Sequence, residues 1–529
     1  MLFTPLERDF VDLVRQLAYS NPFDPDEQAR IRQKLDSFDL GLQAEESKRP
    51  AVVSPPDEFT TIYSRRIEAL LVELGKRVRC GQHDVSPTEV ERYEDLVITV
   101  LHLRHFAAGR VVADVRQANQ RISQYADYLR DLKEWTKVPL RLGWFLQRPE
   151  HSFAVYFQYQ LAIQLIHTLI QGNSRPIARL KAATWHSIFP RELRLYGVLL
   201  YERMHEVTTL ILGPSGTGKE LVATAIGLAR FVPFDPKRER FTEPLSGAFH
   251  PINLSALPRD LIESEMFGHV AGAFTGATKD REGWFEKCRL GHTVFLDELG
   301  EMDESVQVRL LRVLQNREFY RVGETEPRGF AGRVIAATNR DLSQLIADGR
   351  FREDLYFRLC SDIIRTPTLR EQLDDSPEEL PALVAHAAGR CLGDKAHGEF
   401  IERLTKETLA CIEMSPAIGP SYNWPGNFRE LEQCVRSVMV RGEYHPPTMA
   451  SFAKKETLLP SPSVSTTALD QFLHAVRNGT LSLEELLTRY CSLIQSRTGN
   501  VAETTRRLKK HRLTVQGRID PNWVEQFRQ

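Results

Sequence analysis

The sequence predicts a central α/β domain built on a parallel sheet, preceded by a mainly α region and followed by a short α tail. Three observations point there. Through the first 170 or so residues apolar side chains recur at the three-and-four spacing of helix faces. After Gly172-Asn173-Ser174 short apolar runs, VTTLILG (Val207 to Gly213) and HTVFLDE (His292 to Glu298), alternate with helical patterns, as parallel strands with covering helices require. A Pro/Ser/Thr-rich stretch from His445 to Thr467 then sets off the last 60 or so residues. At about 150 residues per domain, 529 residues make roughly three or four domains. The expected division is 1–171, 172–444, a linker at 445–468, and 469–529.

Composition narrows the function classes. Apolar residues are 42% and charged residues 26% of the chain, typical of a folded protein. Lys plus Arg number 69 against 70 acids, so global attraction to nucleic acid or membrane is excluded and any DNA binding must be local. The start, MLFTPLERDF, carries charge where an export signal needs an apolar region. The apolar stretch Phe153 to Ile170 is interrupted by Gln158, Gln160, Gln164 and His167, which predicts a buried or partner-facing helix rather than a membrane span. Seven cysteines without CxxC spacing argue against a zinc ribbon or disulfide framework and for a reducing cytoplasm.

In the first region, Ile67, Leu70, Leu71, Leu74 and Val78 predict a helix from Tyr63 to about Cys80. Further helices are expected over Leu96 to Phe106, Val111 to Leu132 and Phe153 to Ile170, with a loop at Ser54 to Glu58. His83, His102, His105 and His151 do not share one clear face, so these histidines read as core or surface rather than metal ligands.

The chemistry begins after the first apolar run. Gly213-Pro214-Ser215-Gly216-Thr217-Gly218-Lys219 stands between a strand and a helical run, the context of a phosphate-binding loop. Its glycines turn backbone N–H groups inward, and the helix N-terminus and Lys219 complement phosphate charge. Glu220 occupies the place of the usual Ser or Thr. About 80 residues on, Val294 to Leu296 ends in Asp297-Glu298, suited to one carboxylate organising Mg²⁺ (Asp297) and the next polarising water. Together these predict ATP and Mg as cofactors. Between them, Gly272-Ala273-Phe274-Thr275-Gly276-Ala277 places one aromatic and one hydroxyl among small residues, a composition for a mobile surface loop that offers Phe274 as an apolar contact.

With GAFTGA in place, the central half of the chain, roughly Gly172 to Gly442, resembles the AAA+ activators of the sigma-54 form of bacterial RNA polymerase. In that family Glu commonly follows the loop lysine, so Glu220 fits. The resemblance implies an AAA+ parallel sheet with a helical lid and an ATPase that contacts sigma-54 through Gly272 to Ala277. It implies that Asn253 (PINLSAL) partners Glu298 in a switch and that Asn339 (IAATN) positions the attacking water. Arg352 and Arg358 (FREDLYFRL) would enter a neighbouring subunit's site, and Arg429 in the WPGNFREL box would sense the phosphates. The segment Phe231 to His250 is longer than that family usually carries and reads as a surface insertion.

In the tail, Val501, Ala502 and Leu508, then Leu513, Val515 and Ile519, predict the inner faces of two short helices joined by Lys509-Lys510-His511. From Arg497 to Arg518 seven basic residues face one acid, Glu503. The stretch resembles the Fis-type helix-turn-helix of the same family, which implies DNA contact by Arg506, Arg507, Lys509, Lys510, His511, Arg512, Thr514, Gln516 and Arg518. Gly517 is expected to weaken the second helix by about 1 kcal/mol relative to Ala. The expected function is that of a cytoplasmic ATP-dependent transcription activator that assembles as a ring, a hexamer when active, with sigma-54 polymerase and upstream promoter DNA as partners and an unknown ligand or protein at residues 1–171. The rival is a non-remodelling DNA-binding regulator that uses the AAA+ fold for ligand-dependent assembly; GAFTGA and Asp297-Glu298 argue against it, since such a regulator needs neither.

Overall fold

The computed structural model describes residues 1–38, 58–80, 85–106, 121–244, 246–393, 397–415, 418, 422–446, 472–473, 475–476 and 481–527. The expected loop at 54–57, residues 111–120 of the expected third helix, His83 and linker positions 447–468 lie outside them. Two compact units result, 1–445 and 446–529.

The first unit opens with α1 (Pro5–Tyr19), α2 (Pro25–Asp36), α3 (Glu58–Arg79), α4 (Pro87–His105), α5 (Gln124–Thr136), α6 (Trp144–Gln147), α7 (Pro149–Leu169), α8 (Arg175–Ile188) and α9 (Leu193–Val198). Thr4 and Ser86 cap α1 and α4 as capping boxes, each with Glu three residues on and Pro at the helix start. The expected face of α3 is buried, from Ile67 to Val78. Along α7, Gln158 and Gln160 are buried with the apolar residues, so this helix is enclosed on most sides. Among the described residues no helix is long and apolar enough to cross a membrane.

The sheet follows. Its elements in chain order are β1 (Thr209–Leu212), α10 (Lys219–Leu228), β2 (Phe234–Asp235), β3 (Arg240–Phe241), β4 (Phe249–Asn253), α11 (Arg259–Phe267), β5 (Gly268–His269), β6 (Arg281–Glu282), α12 (Trp284–Lys287), β7 (Thr293–Asp297), α13 (Glu304–Asn316), β8 (Glu318–Phe319), β9 (Arg328–Gly329), β10 (Arg333–Thr338), α14 (Leu342–Ala347), α15 (Glu353–Leu359) and β11 (Asp362–Arg365). Five strands pair in parallel in the order β11-β1-β10-β7-β4. Alternation along each strand feeds two cores: Ile211, Phe295 and Ile335 face α10 and the N-terminal helices, while Leu210, Leu296 and Ala336 face α11, α13 and α15. The first core runs from Leu2 to Ile364, so apolar packing continues across residue 171 and joins the N-terminal helices to the sheet. A lid of α16 (Leu369–Asp375), α17 (Leu380–Leu392), α18 (Gly398–Met414) and α19 (Asn427–Arg441) has its own core around Trp424 and Leu431.

The expected surface insertion at Phe231 to His250 is corrected. Its β2–β3 hairpin sets Phe234 opposite Phe241, and both rings are buried. Phe234 lies 4.7 Å from Tyr125 and 4.8 Å from Phe153, and Phe241 lies 4.5 Å from Phe157. Two aromatic rings on one face of a two-residue ladder demand an apolar partner, which α5 and α7 supply.

The second unit contains α20 (Leu483–Thr498), α21 (Val501–Leu508), α22 (Arg512–Gln516) and α23 (Pro521–Gln526). The two expected short helices and the turn at 509–511 are there, with Lys509 left-handed at φ 49°. Ala502 and Leu513 are exposed, against expectation. Thr504 takes the inner position, bonded to Gln495 at 2.7 Å, and Val515 is buried. Gly517 follows the last turn of α22 as its cap at φ −72°, so it ends the helix rather than weakening its interior.

Candidate active site

Strands β1, β7 and β10 end at one edge of the sheet, and the loops that follow β1 and β7 line a cleft of about 270 Å³. From β1, the loop Gly213 to Gly218 turns into α10 through two left-handed glycines, Gly216 at φ 78° and Gly218 at φ 87°. A Cβ on Gly213 would fall 2.0 Å from Thr366 Oγ1, and one on Gly216 would fall 2.3 Å from the carbonyl of Gly426. Thr217 Oγ1 donates to the carbonyl of Pro214 at 2.8 Å and pairs with Thr366 at 2.7 Å, which fixes the turn. Lys219 is buried and its Nζ donates to the carbonyls of Gly213 and Pro214, both at 3.0 Å. Burial lowers its pKa, with Glu298 and Asp297 opposing. Ser215 and Glu220 are exposed at the mouth.

At the end of β7, Asp297 and Glu298 line the same cleft. Asp297 Oδ1 accepts the Glu298 amide at 3.0 Å, and Glu298 is left-handed at φ 57°, a strained conformation for a residue with a Cβ. Burial, then the adjacent Asp297, raises the Glu298 pKa, while Lys219 opposes the shift.

The lid closes the cleft through the Trp424 to Leu431 box. Trp424 is buried, and Asn427, left-handed at φ 52°, donates to the Ser215 carbonyl at 2.9 Å and accepts the Leu369 amide at 2.9 Å. Phe428 donates its amide to the Gly216 carbonyl at 3.1 Å, and Arg429 Nη1 donates to Ser215 Oγ at 3.1 Å. The far wall comes from residues that no motif marks: Ile170, Ile177 and Leu180 from the N-terminal helices, and Leu383, His386 and Arg390 from α17. Only their apolar or basic periodicity was visible in sequence, and periodicity does not name a cleft.

Four expected residues stand apart. Asn253 ends β4 in register with Asp297, but its Oδ1 accepts from Ser255 N (3.0 Å) and Ser255 Oγ (2.7 Å). Among the described residues no hydrogen bond joins Asn253 to Glu298; the side chain caps the turn that follows the strand, the common preference of Asn. Asn339 follows β10 and is exposed at that edge. Arg352 precedes α15 and is held by Asp354 at 2.8 Å, and Arg358 is exposed in its last turn; neither lines the chain's own cleft.

Gly272 to Ala277 lie elsewhere, at the tip of the β5–β6 hairpin. Gly272 (φ 82°) and Gly276 (φ 101°) shape the tip, and the Gly272 amide donates to the Ala277 carbonyl at 2.8 Å. Ala273 is partly covered and Ala277 buried at the base, while Thr275 is exposed and Phe274 is 40% exposed, its ring 4.9 Å from His269. Arg321, bonded to Glu286 at 2.7 and 2.9 Å, stiffens the base beneath the mobile-composition tip. Of the histidines singled out in the sequence, two have structural partners: His105 bonds Asp131 at 3.0 Å, and His151 bonds the Gly197 carbonyl at 2.6 Å.

In the tail, Arg507, Lys509, Lys510, His511 and Arg512 are exposed around the α21–α22 turn, with Thr514 and Gln516 exposed on α22. Arg506 is paired with Glu503 at 2.7 Å, and Arg518 is partly covered.

The model of the sigma-54 interaction domain matches residues 199–365. The DNA-binding transcriptional regulator NtrC of Azospirillum brasilense is 43% identical over 247 residues, covering 47% of this chain and 46% of its own length. The Nif-specific regulatory protein of Azotobacter vinelandii is 43% identical over 236 residues (45% and 40%), and the transcriptional regulatory protein ZraR of Escherichia coli (strain K12) is 43% identical over 241 residues (45% and 49%). The chain thus spans about half the length of these curated relatives. Residues 199–365 thus match the sigma-54 interaction domain, and the sheet domain that carries the cleft and the hairpin is similar to the corresponding part of these transcriptional regulators.

Proposed function

We propose that the chain is an ATP-dependent transcription activator that hydrolyses ATP in a ring of its own copies and uses the work to remodel sigma-54 polymerase at a promoter. The observation that carries this reading is the separation of two sites in one α/β domain: phosphate chemistry at the strand ends of the five-stranded sheet, and an exposed apolar contact on the separate β5–β6 hairpin.

The donor set in the cleft suits a magnesium nucleotide. Backbone N–H groups at the start of α10 and the Lys219 ammonium would take the phosphates, Lys219 exchanging its two loop carbonyls for phosphate oxygens. Asp297 would hold Mg²⁺, which neutralises phosphate charge when bound. Glu298, with its raised pKa, would accept the proton of the attacking water, and Asn339 at the neighbouring strand end would orient that water. Arg429, already bonded to the loop at Ser215, would register the phosphates on the lid, and Arg352 and Arg358 would complete a neighbour's cleft. Asn253 would leave Ser255 for Glu298 when the switch engages, which would carry the change to β5–β6 through α11. The tail would hold the assembly on upstream DNA through its exposed basic turn.

Co-purification with sigma-54 in the presence of an ATP transition-state analogue tests the reading. Retention that depends on the analogue is the expected result; no retention in any nucleotide state would overturn the partner and favour a non-remodelling regulator.

A further inference from the structure

The N-terminal helices enclose a second cavity of about 270 Å³ that shares no lining residue with the phosphate-loop cleft and is walled mainly by α1, α4, α6, α7 and α9. Its lining is aromatic, including Trp144, Phe145, Tyr156, Tyr159 and Phe189. An engineered dry cavity of roughly 150 Å³ holds benzene, so this one has room for two fused rings. Aromatic walls favour a flat aromatic guest through edge-to-face and offset contacts.

Two polar atoms on this wall lack hydrogen-bond partners: His102 Nε2 and the hydroxyl of Tyr156, on rings 5.9 Å apart. Burial lowers the His102 pKa to about 4, so at neutral pH its ring is uncharged and offers one donor and one acceptor. A buried polar atom without a partner costs free energy, which a bound hydroxyl or N–H would recover. Two of the charged residues on the wall, Glu94 and Arg194, are paired 2.5 Å apart, so neither is left as a counter-ion for a charged guest.

We propose that this cavity is a binding site for an uncharged, bicyclic aromatic small molecule carrying a hydroxyl or ring N–H, held by the aromatic wall and hydrogen-bonded to His102 or Tyr156. The position gives such a guest a route to the ATP cleft. Tyr196 on the cavity wall donates to Gln158 Oε1 at 2.7 Å, and Gln158 Nε2 donates to the carbonyl of Ala229 at 2.9 Å, at the end of the helix that starts with Lys219. The proposal stands independently of the ATPase reading, because binding is measured without nucleotide.

Isothermal titration of the full chain with 2-naphthol tests it. One saturable site per chain is expected, with a Kd on the order of 10 μM for a ligand of this size. His102→Phe should weaken 2-naphthol about fivefold, the worth of one net hydrogen bond, and leave naphthalene binding unchanged. Tyr156→Phe, which removes one oxygen, supplies the same comparison should the His102 variant not fold. Absence of saturation by about 1 mM, equal affinity for the anion 2-naphthoate, or parent affinity for 2-naphthol in both variants would each overturn the proposal.

Discussion

Lys219 and Glu298 share one cleft but do different work in the proposed mechanism, and single substitutions separate them. Lys219→Ala removes the buried cation that faces the phosphates and should abolish nucleotide binding, whereas Glu298→Gln keeps the shape and should bind ATP while hydrolysing it at least about a hundredfold more slowly. Nucleotide titration and steady-state turnover of the two variants check this, and parent-like ATP affinity in Lys219→Ala would refute the assignment. The pH dependence has a definite sign. In the proposed role Glu298 would act only as the carboxylate, and burial with Asp297 beside it raises its pKa. Activity should therefore fall on acidification, beginning at higher pH than for an ordinary glutamate near 4.3, and a pH profile of turnover reads it directly. The residues of the phosphate loop and the acidic pair were legible from sequence because their spacing is set by local strand-loop-helix geometry. Asn253 was not legible in the same way: its family role says nothing about the Ser255 contacts that occupy it here.

At the scale of elements, the β5–β6 hairpin and the β2–β3 hairpin make opposite use of aromatic residues. The first leaves Phe274 outward with Thr275 beside it, away from the cleft. Thr275→Ala should therefore preserve most ATP hydrolysis while abolishing analogue-dependent sigma-54 retention, and full transcription activation by that variant would remove the contact role from this loop. The second hairpin turns Phe234 inward, onto Tyr125 and Phe153. Phe234→Ala should cost about 3–5 kcal/mol of stability, the usual range for a buried ring, and denaturant unfolding measures it. A loss under about 1 kcal/mol would mean that the hairpin is not part of the core. Sequence predicted an insertion here but placed it on the surface, because a two-residue strand is too short to show alternation and its partners lie about 80 to 110 residues upstream.

For the whole molecule, the proposed trans role of Arg352 and Arg358 would make hydrolysis a property of the assembly. Turnover per chain should rise with protein concentration as rings form, and Arg352→Ala or Arg358→Ala chains should lower it while still binding ATP. Full turnover by a demonstrably monomeric sample would end the idea. The sequence by itself determined the parallel α/β class, the phosphate loop, the acidic strand end, the lid box and the two short basic helices of the tail. The lid box was legible only through the family resemblance; the others are written in local spacing, where backbone geometry leaves few choices. Only the tertiary structure decided that the N-terminal helices share one core with the sheet from Leu2 to Ile364, that Ile170 and Ile177 wall the cleft, and that Phe234 and Phe241 are buried. Apolar periodicity specifies that a face must be covered without naming what covers it, because the hydrophobic effect is non-directional and the partner is chosen by packing between segments far apart in the chain.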